Sequence, residues 1–275
     1  MQPHPWFAGP VPLVLGHRGC AGEAPENTLE SFERALAQGA DVLESDLQLT
    51  RDAVPVLLHD DDVVRTTDGA GSIRDFDSEE LERLDAGHRF SPDAGASFPF
   101  RGKGLRIPRL AEALARFPSA RFNLELKSAE PALARSALDA IELAHAADRV
   151  LLTAGENDAM DALRASLAAR GTPVAEGACI ADILELVASA RERRAPRSRA
   201  MAYQVPPEFA GEPLVTRELV AHAHAHGAQI HVWTINREDE MERLLALGVD
   251  GLVTDFPARL ARLLERRGLR GRGAA

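Results

Sequence analysis

What constrains this chain most is a repeat in pattern without a repeat in sequence. From residue 108 onward, short apolar runs alternate with longer segments whose apolar residues recur at helical spacing. RFNLELK (121–127), RVLLT (149–153), TPVAEGA (172–178), AMAYQV (200–205), QIHVWTIN (229–236) and GLVTD (251–255) read as strands. Each precedes a helical pattern such as PALARSALDAIELAHA at 131–146. Upstream, VPLVLGHRG precedes NTLESFERALAQGA, where Asn27 with Glu30 three residues on reads as a helix N-cap. The segment DVLESDLQL (41–49) supplies one more strand. The count is then eight strand–helix units, provided PVLLH (55–59) is the return arm of a hairpin and not a strand of the main sheet. Alternating units imply a parallel sheet and eight strands close it, so the expected fold is α/β, a (β/α)8 TIM barrel. An open doubly wound sheet is the alternative, but no glycine-rich dinucleotide loop follows the first strand. The whole chain, 1–275, is expected to form one domain, with an inserted subdomain at about 61–107 where Gly, Pro and Asp crowd a long connection. One short helix, SEELERL, capped by Ser78, is expected inside it.

The strand at 41–49 breaks the pattern. Counted with a period of two, Val42, Glu44, Asp46 and Gln48 share one face while Leu43, Ser45, Leu47 and Leu49 share the other. A hairpin turn centred near Asp52 and Ala53 would set Asp46 roughly opposite His59 on the returning arm. A buried carboxylate without a partner costs several kcal/mol, so these acids need either solvent or a bound cation. FNLELK repeats the anomaly: Asn123, Glu125 and Lys127 lie on one face, Leu124 and Leu126 on the other. Chemistry in such barrels collects at the carboxyl ends of the strands. Those ends carry His17 and Arg18, Glu44 and Asp46, Glu125 and Lys127, Glu176, Gln204, Trp233 and Asp255.

Glu44, Asp46 and Glu125 offer only oxygen ligands, which suits a hard divalent cation, Mg2+ or Ca2+, better than zinc. His17 and His59 are left for proton transfer. Two imidazoles beside a cation are what phosphodiester cleavage requires, one removing a proton and the other supplying one, while Arg18 and Lys127 hold phosphoryl oxygens.

Together, HRGCAGEAPENT (17–28), GADVLESDLQLTRDAVPVLLHD (39–60), NLELK (123–127), VWTIN (232–236) and GVDGLVTDFP (248–257) make the chain resemble the glycerophosphodiester phosphodiesterase family. The resemblance implies a barrel with a small insertion after the second strand and metal-dependent hydrolysis of glycerophosphodiesters to sn-glycerol 3-phosphate and an alcohol. By position it implies His17 and His59 as the acid/base pair, Glu44, Asp46 and Glu125 as metal ligands, Arg18 and Lys127 as phosphate contacts, and Trp233 as a wall of the glycerol pocket. One departure is Ala53, where the family usually has glycine; alanine is strained at positive φ, so a longer or different turn is expected.

Two other readings compete. A lysophospholipase D would use Phe90, Phe98 and Phe100 of the insertion as an apolar lip for a lipid chain; a catalytically silent barrel would bind metal or phosphate. Composition narrows the partners. A formal charge of -10 excludes nucleic acid as the main partner and leaves a small-molecule substrate. Two cysteines, Cys20 and Cys179, are too few for a disulfide framework, and Cys20 is expected to be a packing residue. No basic leader followed by a long apolar core, and no apolar run long enough to cross a membrane, is present, which makes a cytoplasmic location the expectation. Oligomeric state has no legible signature. His222 and His226 share a helical face but lack an obvious third ligand, so a solvated helix end is expected there.

Overall fold

The structure, a computed structural model, describes residues 4–270. Its strands are β1 Leu13–Gly16, β2 Val42–Leu49, β3 Pro55–Leu57, β4 Arg121–Leu126, β5 Val150–Thr153, β6 Ala175–Glu176, β7 Ala202–Val205, β8 Glu208–Phe209, β9 Glu212–Pro213, β10 Gln229–Val232 and β11 Gly251–Thr254. Its α-helices are α1 Leu29–Ala37, α2 Ser78–Leu81, α3 Leu110–Arg116, α4 Pro131–Leu143, α5 Asn157–Arg170, α6 Ile180–Glu192, α7 Arg217–Ala225, α8 Glu238–Leu247 and α9 Pro257–Arg266.

Eight strands run parallel in the order β6-β5-β4-β2-β1-β11-β10-β7. The two ends of that order meet where the Met201 amide donates to the Glu176 carbonyl at 2.9 Å, so the sheet is a nearly closed barrel. β3 pairs only with β2, antiparallel, as the expected return arm. Strand length, Pro at the first turn of α4 and α9, and left-handed Gly171 and Gly248 ending α5 and α8 mark the borders of the units.

Two apolar layers hold the barrel. Outside it, Leu43, Leu47, Phe122 and Leu124 meet the helices around them. Inside it, Leu13, Leu15, Val42, Leu151 and Val253 fill the floor, and Trp6 plugs it from a short 3-10 turn, its indole nitrogen donating to the Phe122 carbonyl at 2.8 Å. His231 lies in this floor, fully buried; burial drives its pKa down to about 3, so it is neutral, with Nε2 3.0 Å from Gln229 Oε1. The side chains of β2 therefore switch along one face from apolar Val42 at the floor to Glu44 and Asp46 at the carboxyl end. That geometry resolves the anomaly in DVLESDLQL.

The stretch between β3 and α3 has its own apolar cluster, built from Val63, Ile73, Leu81, Ala86 and Ile107 with Val56 and Leu58. Phe76 packs against this cluster, but Phe90, Phe98 and Phe100 are not part of it. Phe90 and Phe100 stack edge to face at 5.4 Å, Phe100 packs onto the main core, and Phe98 lies under the Arg101 guanidinium.

Several local expectations are corrected. Asn27 is not the cap of α1: the cap is Thr28, whose hydroxyl accepts from the Ser31 amide, and Asn27 sits at φ +56 with its amide turned inward. Ser78 is the first residue of α2 after the N-cap Asp77, and its hydroxyl donates to Asp52 at 2.8 Å. In the β2–β3 turn Ala53 keeps φ +60, the left-handed conformation that glycine takes more cheaply, so the turn did not lengthen. Register is Leu47 against Leu57, which sets Asp46 opposite Leu58 and puts His59 one residue beyond the expected pairing. The small hairpin of β8 and β9 was not visible in the sequence pattern.

Candidate active site

At the carboxyl ends of the strands a cavity of about 810 Å³ gathers His17, Arg18, Glu44, Asp46, His59, Glu125, Lys127 and Trp233. These are the eight residues singled out from the sequence. The positions follow from the parallel register, which sets Glu44 beside Asn123 and Asp46 beside Glu125 on neighbouring strands.

Glu44 and Asp46 sit two residues apart on one face and are both buried, yet they are held differently. Asp46 accepts from Lys127 Nζ at 3.0 Å and from Asn27 Nδ2 at 3.1 Å, with Arg18 Nε at 3.4 Å. Burial opposes its charge, but Lys127, Arg18 and His59 together keep its pKa below the usual aspartate value. Glu44 has one hydrogen-bond donor, the Arg18 amide at 3.0 Å. Burial, then the negative Asp46, push its pKa up to about 7. Arg18 reaches this amide geometry through a left-handed φ of +48, followed by Gly19 at +91. Glu125 accepts from Lys127 Nζ at 2.9 Å and from the Gly155 amide at 3.3 Å. Lys127 thus ties two of the three acids, and despite its own burial those acids raise its pKa.

Among the described residues, no three His, Cys, Asp or Glu side chains are already drawn round one point to hold a metal ion. The donor chemistry nevertheless fits a hard cation. Glu44 is a buried carboxylate short of positive charge, and Asn123 Oδ1, beside it on β4, is buried with no hydrogen-bond partner. Both features suit oxygen coordination.

The histidines are each oriented by a carboxylate. His17 Nδ1 lies 2.6 Å from Asp255 Oδ1, and His59 Nδ1 lies 2.7 Å from Asp60 Oδ1. Burial works against a charged His17, but the Asp255 hydrogen bond and the Glu44 charge prevail and raise its pKa. In turn Asp255 accepts from Asn236 Nδ2. Asp60 is gripped by Arg65, whose guanidinium also takes both oxygens of Glu26, at 2.7 and 2.8 Å; Glu26 then accepts from Arg18 Nη1. A continuous ionic chain therefore runs from the insertion to the loop after β1.

Asp255 was visible as a strand-end acid, though without a role. Asp60 follows His59 directly and could have been suspected from adjacency. Asn27 was misread because an Asn before a helical run is a common cap. It donates to Asp46 and accepts from Ser45 Oγ at 2.7 Å. Arg65, in the insertion, had no sequence signal.

Other sequence candidates resolve as structural. Cys20 is buried, and desolvation pushes its thiol up to about 11, so it is a packing residue. Of the two histidines of α7, His224 pairs with Asp250 at 2.8 Å and His222 meets Ser189 Oγ at 2.9 Å. Among the described residues no helix is long and apolar enough to cross a membrane.

Comparison with known proteins agrees with this geometry. Glycerophosphodiester phosphodiesterases of Caldanaerobacter subterraneus and Bacillus altitudinis are 31% and 33% identical to the chain, over 93% and 92% of its length and 99% and 98% of theirs. A solved structure from Silicibacter pomeroyi superposes with a TM-score of 0.79 at 26% identity, covering 98% of each chain. An Oleispira antarctica phosphodiesterase, solved with the product sn-glycerol-3-phosphate, superposes with a TM-score of 0.75 at 27% identity, covering 93% of this chain and 97% of that one. The sequence model of the glycerophosphoryl diester phosphodiesterase family matches residues 17–259, nearly the whole barrel with both histidines and all the clustered acids, and the chain belongs to that family.

Proposed function

We propose that the chain hydrolyses glycerophosphodiesters to sn-glycerol 3-phosphate and an alcohol, with His17 and His59 as the acid/base pair. The observation that carries this reading is the pair of carboxylate-held histidines, His17–Asp255 and His59–Asp60, on one cavity with a cluster of acids and cations. Because each ring gives Nδ1 to its carboxylate, Nε2 remains for the substrate. One imidazole takes the proton of the attacking hydroxyl and the other protonates the departing alkoxide. Arg18 and Lys127 hold phosphoryl oxygens, and Trp233 closes the side of the glycerol pocket. Glu44, Asp46 and Glu125 would hold a divalent cation, Mg2+ or Ca2+, which would offset charge on the phosphoryl oxygens. The family membership and the relatives named for this activity support the reaction class.

Purified protein incubated with glycerophosphocholine or glycerophosphoethanolamine and added Mg2+ or Ca2+ is expected to release sn-glycerol 3-phosphate. No release at saturating substrate sinks the reading. A silent binding barrel is the outcome if His59→Ala leaves ligand binding intact and there is no rate for it to abolish.

A further inference from the structure

Gln204 lies near the carboxyl end of β7 and lines the catalytic cavity, yet no step of the phosphodiester chemistry uses it. Its amide is oriented from the barrel floor. Gln229 Oε1 can only accept, and it lies 3.0 Å from His231 Nε2, so the proton of the neutral imidazole sits on Nε2. His231 Nδ1 is then an acceptor, and it meets Gln204 Nε2 at 3.4 Å. The amide nitrogen of Gln204 is thereby tied to the floor, and Oε1 is its free end.

That oxygen is buried and has no hydrogen-bond partner among the described residues. Thr153 Oγ1, the hydroxyl beside it, is committed to the Ala178 carbonyl at 3.0 Å. The fold nevertheless makes room for the amide. A Cβ at Gly177 would come within 2.8 Å of Gln204 Oε1 and 2.7 Å of Thr153 Oγ1, so this packing needs a glycine there. A buried acceptor without a donor is costly, and the cavity is the side from which a donor can come.

β7 is the fourth strand from β2 in either direction round the barrel, so Gln204 stands on the wall opposite Glu44 and Asp46. Arg18 follows β1 and Lys127 follows β4, the two strands that flank β2. A phosphate held by Arg18 and Lys127 therefore sends its glycerol across the barrel mouth toward β7. Trp233 stands on the same side, its amide donating to the Val205 carbonyl at 3.1 Å. The part of the glycerol farthest from phosphorus is its free primary hydroxyl. We propose that Gln204 Oε1 accepts a hydrogen bond from that hydroxyl, which makes Gln204 a specificity-determining residue through which the site reads glycerol itself and not only a phosphodiester. The inference rests on the phosphodiesterase reading and deepens it. Phosphoryl oxygens are acceptors and cannot fill the role. The quaternary nitrogen of choline carries no N–H, so in glycerophosphocholine only a glycerol hydroxyl can donate.

The test compares kcat/KM for glycerophosphocholine with that for the phosphocholine ester of propane-1,2-diol joined through its primary carbon, which lacks the terminal hydroxyl alone. Both are assayed with added Mg2+ or Ca2+. Wild type is expected to favour glycerophosphocholine by about 5- to 100-fold, because the analogue leaves the buried acceptor unpaired. Gln204→Met, similar in length but without the carbonyl, is expected to slow glycerophosphocholine turnover about tenfold and to bring the two substrates within threefold of each other. Thermal unfolding checks that the barrel is intact, and the wild-type ratio decides the matter even where the variant fails to fold. A wild-type ratio below fivefold, or a ratio that Gln204→Met leaves unchanged because both substrates lose equally, overturns the inference. Failure to turn over either substrate overturns the phosphodiesterase reading itself, and the inference with it.

Discussion

Asp255→Asn offers a sharp test of how His17 is held. Asp255 accepts from Asn236 Nδ2 through one carboxylate oxygen, and its other oxygen meets His17 Nδ1 at 2.6 Å. A carboxylate can only accept, so the proton of neutral His17 must sit on Nδ1 and Nε2 is left basic. An asparagine has one acceptor and one donor end. Asn236 already donates, so the substituted side chain would turn its amide oxygen there and its NH2 toward His17. The imidazole then becomes an acceptor at Nδ1, and its proton moves to Nε2, the wrong nitrogen for a base. The substitution also withdraws both the hydrogen bond and the charge by which Asp255 raises the His17 pKa, leaving the Glu44 charge.

Loss of a positioned acid or base costs about 10²–10⁴-fold, and we expect a fall in kcat/KM of about 10³-fold, or ~4 kcal/mol of transition-state stabilisation. The assay is the pH profile of kcat/KM on glycerophosphocholine, with thermal unfolding to confirm that the barrel is intact. If His17 is the base, the acid limb moves to lower pH; if it is the acid, the alkaline limb does. The mutation therefore also assigns the role. A rate within threefold of wild type, or a large loss with neither limb moved, refutes the account.

Arg65→Lys should lower kcat roughly tenfold with little change in KM, because a point charge cannot hold Asp60 and Glu26 with a planar fork; a uniform loss of substrate affinity would argue otherwise. Arg65 holds the Asp60 pKa down at about 2, so the stability this contact adds is present above the ordinary aspartate range and is lost as pH falls toward 2; urea unfolding of wild type and Arg65→Gln should converge over that interval. Cation binding should raise the melting temperature and tighten as pH rises through 7, because Glu44, with its pKa near 7, must lose its proton to bind; a flat pH dependence would remove Glu44 from the ligand set. Ala53→Gly should stabilise by up to about 1 kcal/mol in urea, since relief at φ +60 exceeds the added chain entropy by a small margin.

The barrel was legible because strand and helical patterns alternate from β4 to α9, with the short β8–β9 hairpin too small to disturb the count, and a count of eight leaves few topologies. The acids were legible because strands in a barrel interior have no other reason to carry charge. What escaped has a common cause: roles fixed by partners far away in sequence. Asn27 looks like a helix cap because nothing local says that Asp46 lies behind it. Arg65 looks like one more arginine in a polar loop, until the fold brings Asp60 and Glu26 to its two sides. The β2–β3 turn shows the same limit in reverse. Local chemistry argued against Ala53 at positive φ, yet the turn is held by contacts with a distant helix, where Asp52 accepts from both the amide and the hydroxyl of Ser78. Those two hydrogen bonds, each worth roughly 1 kcal/mol, are enough to offset the strain of one left-handed alanine. A turn that is costly in isolation thereby keeps His59 at the mouth of the barrel.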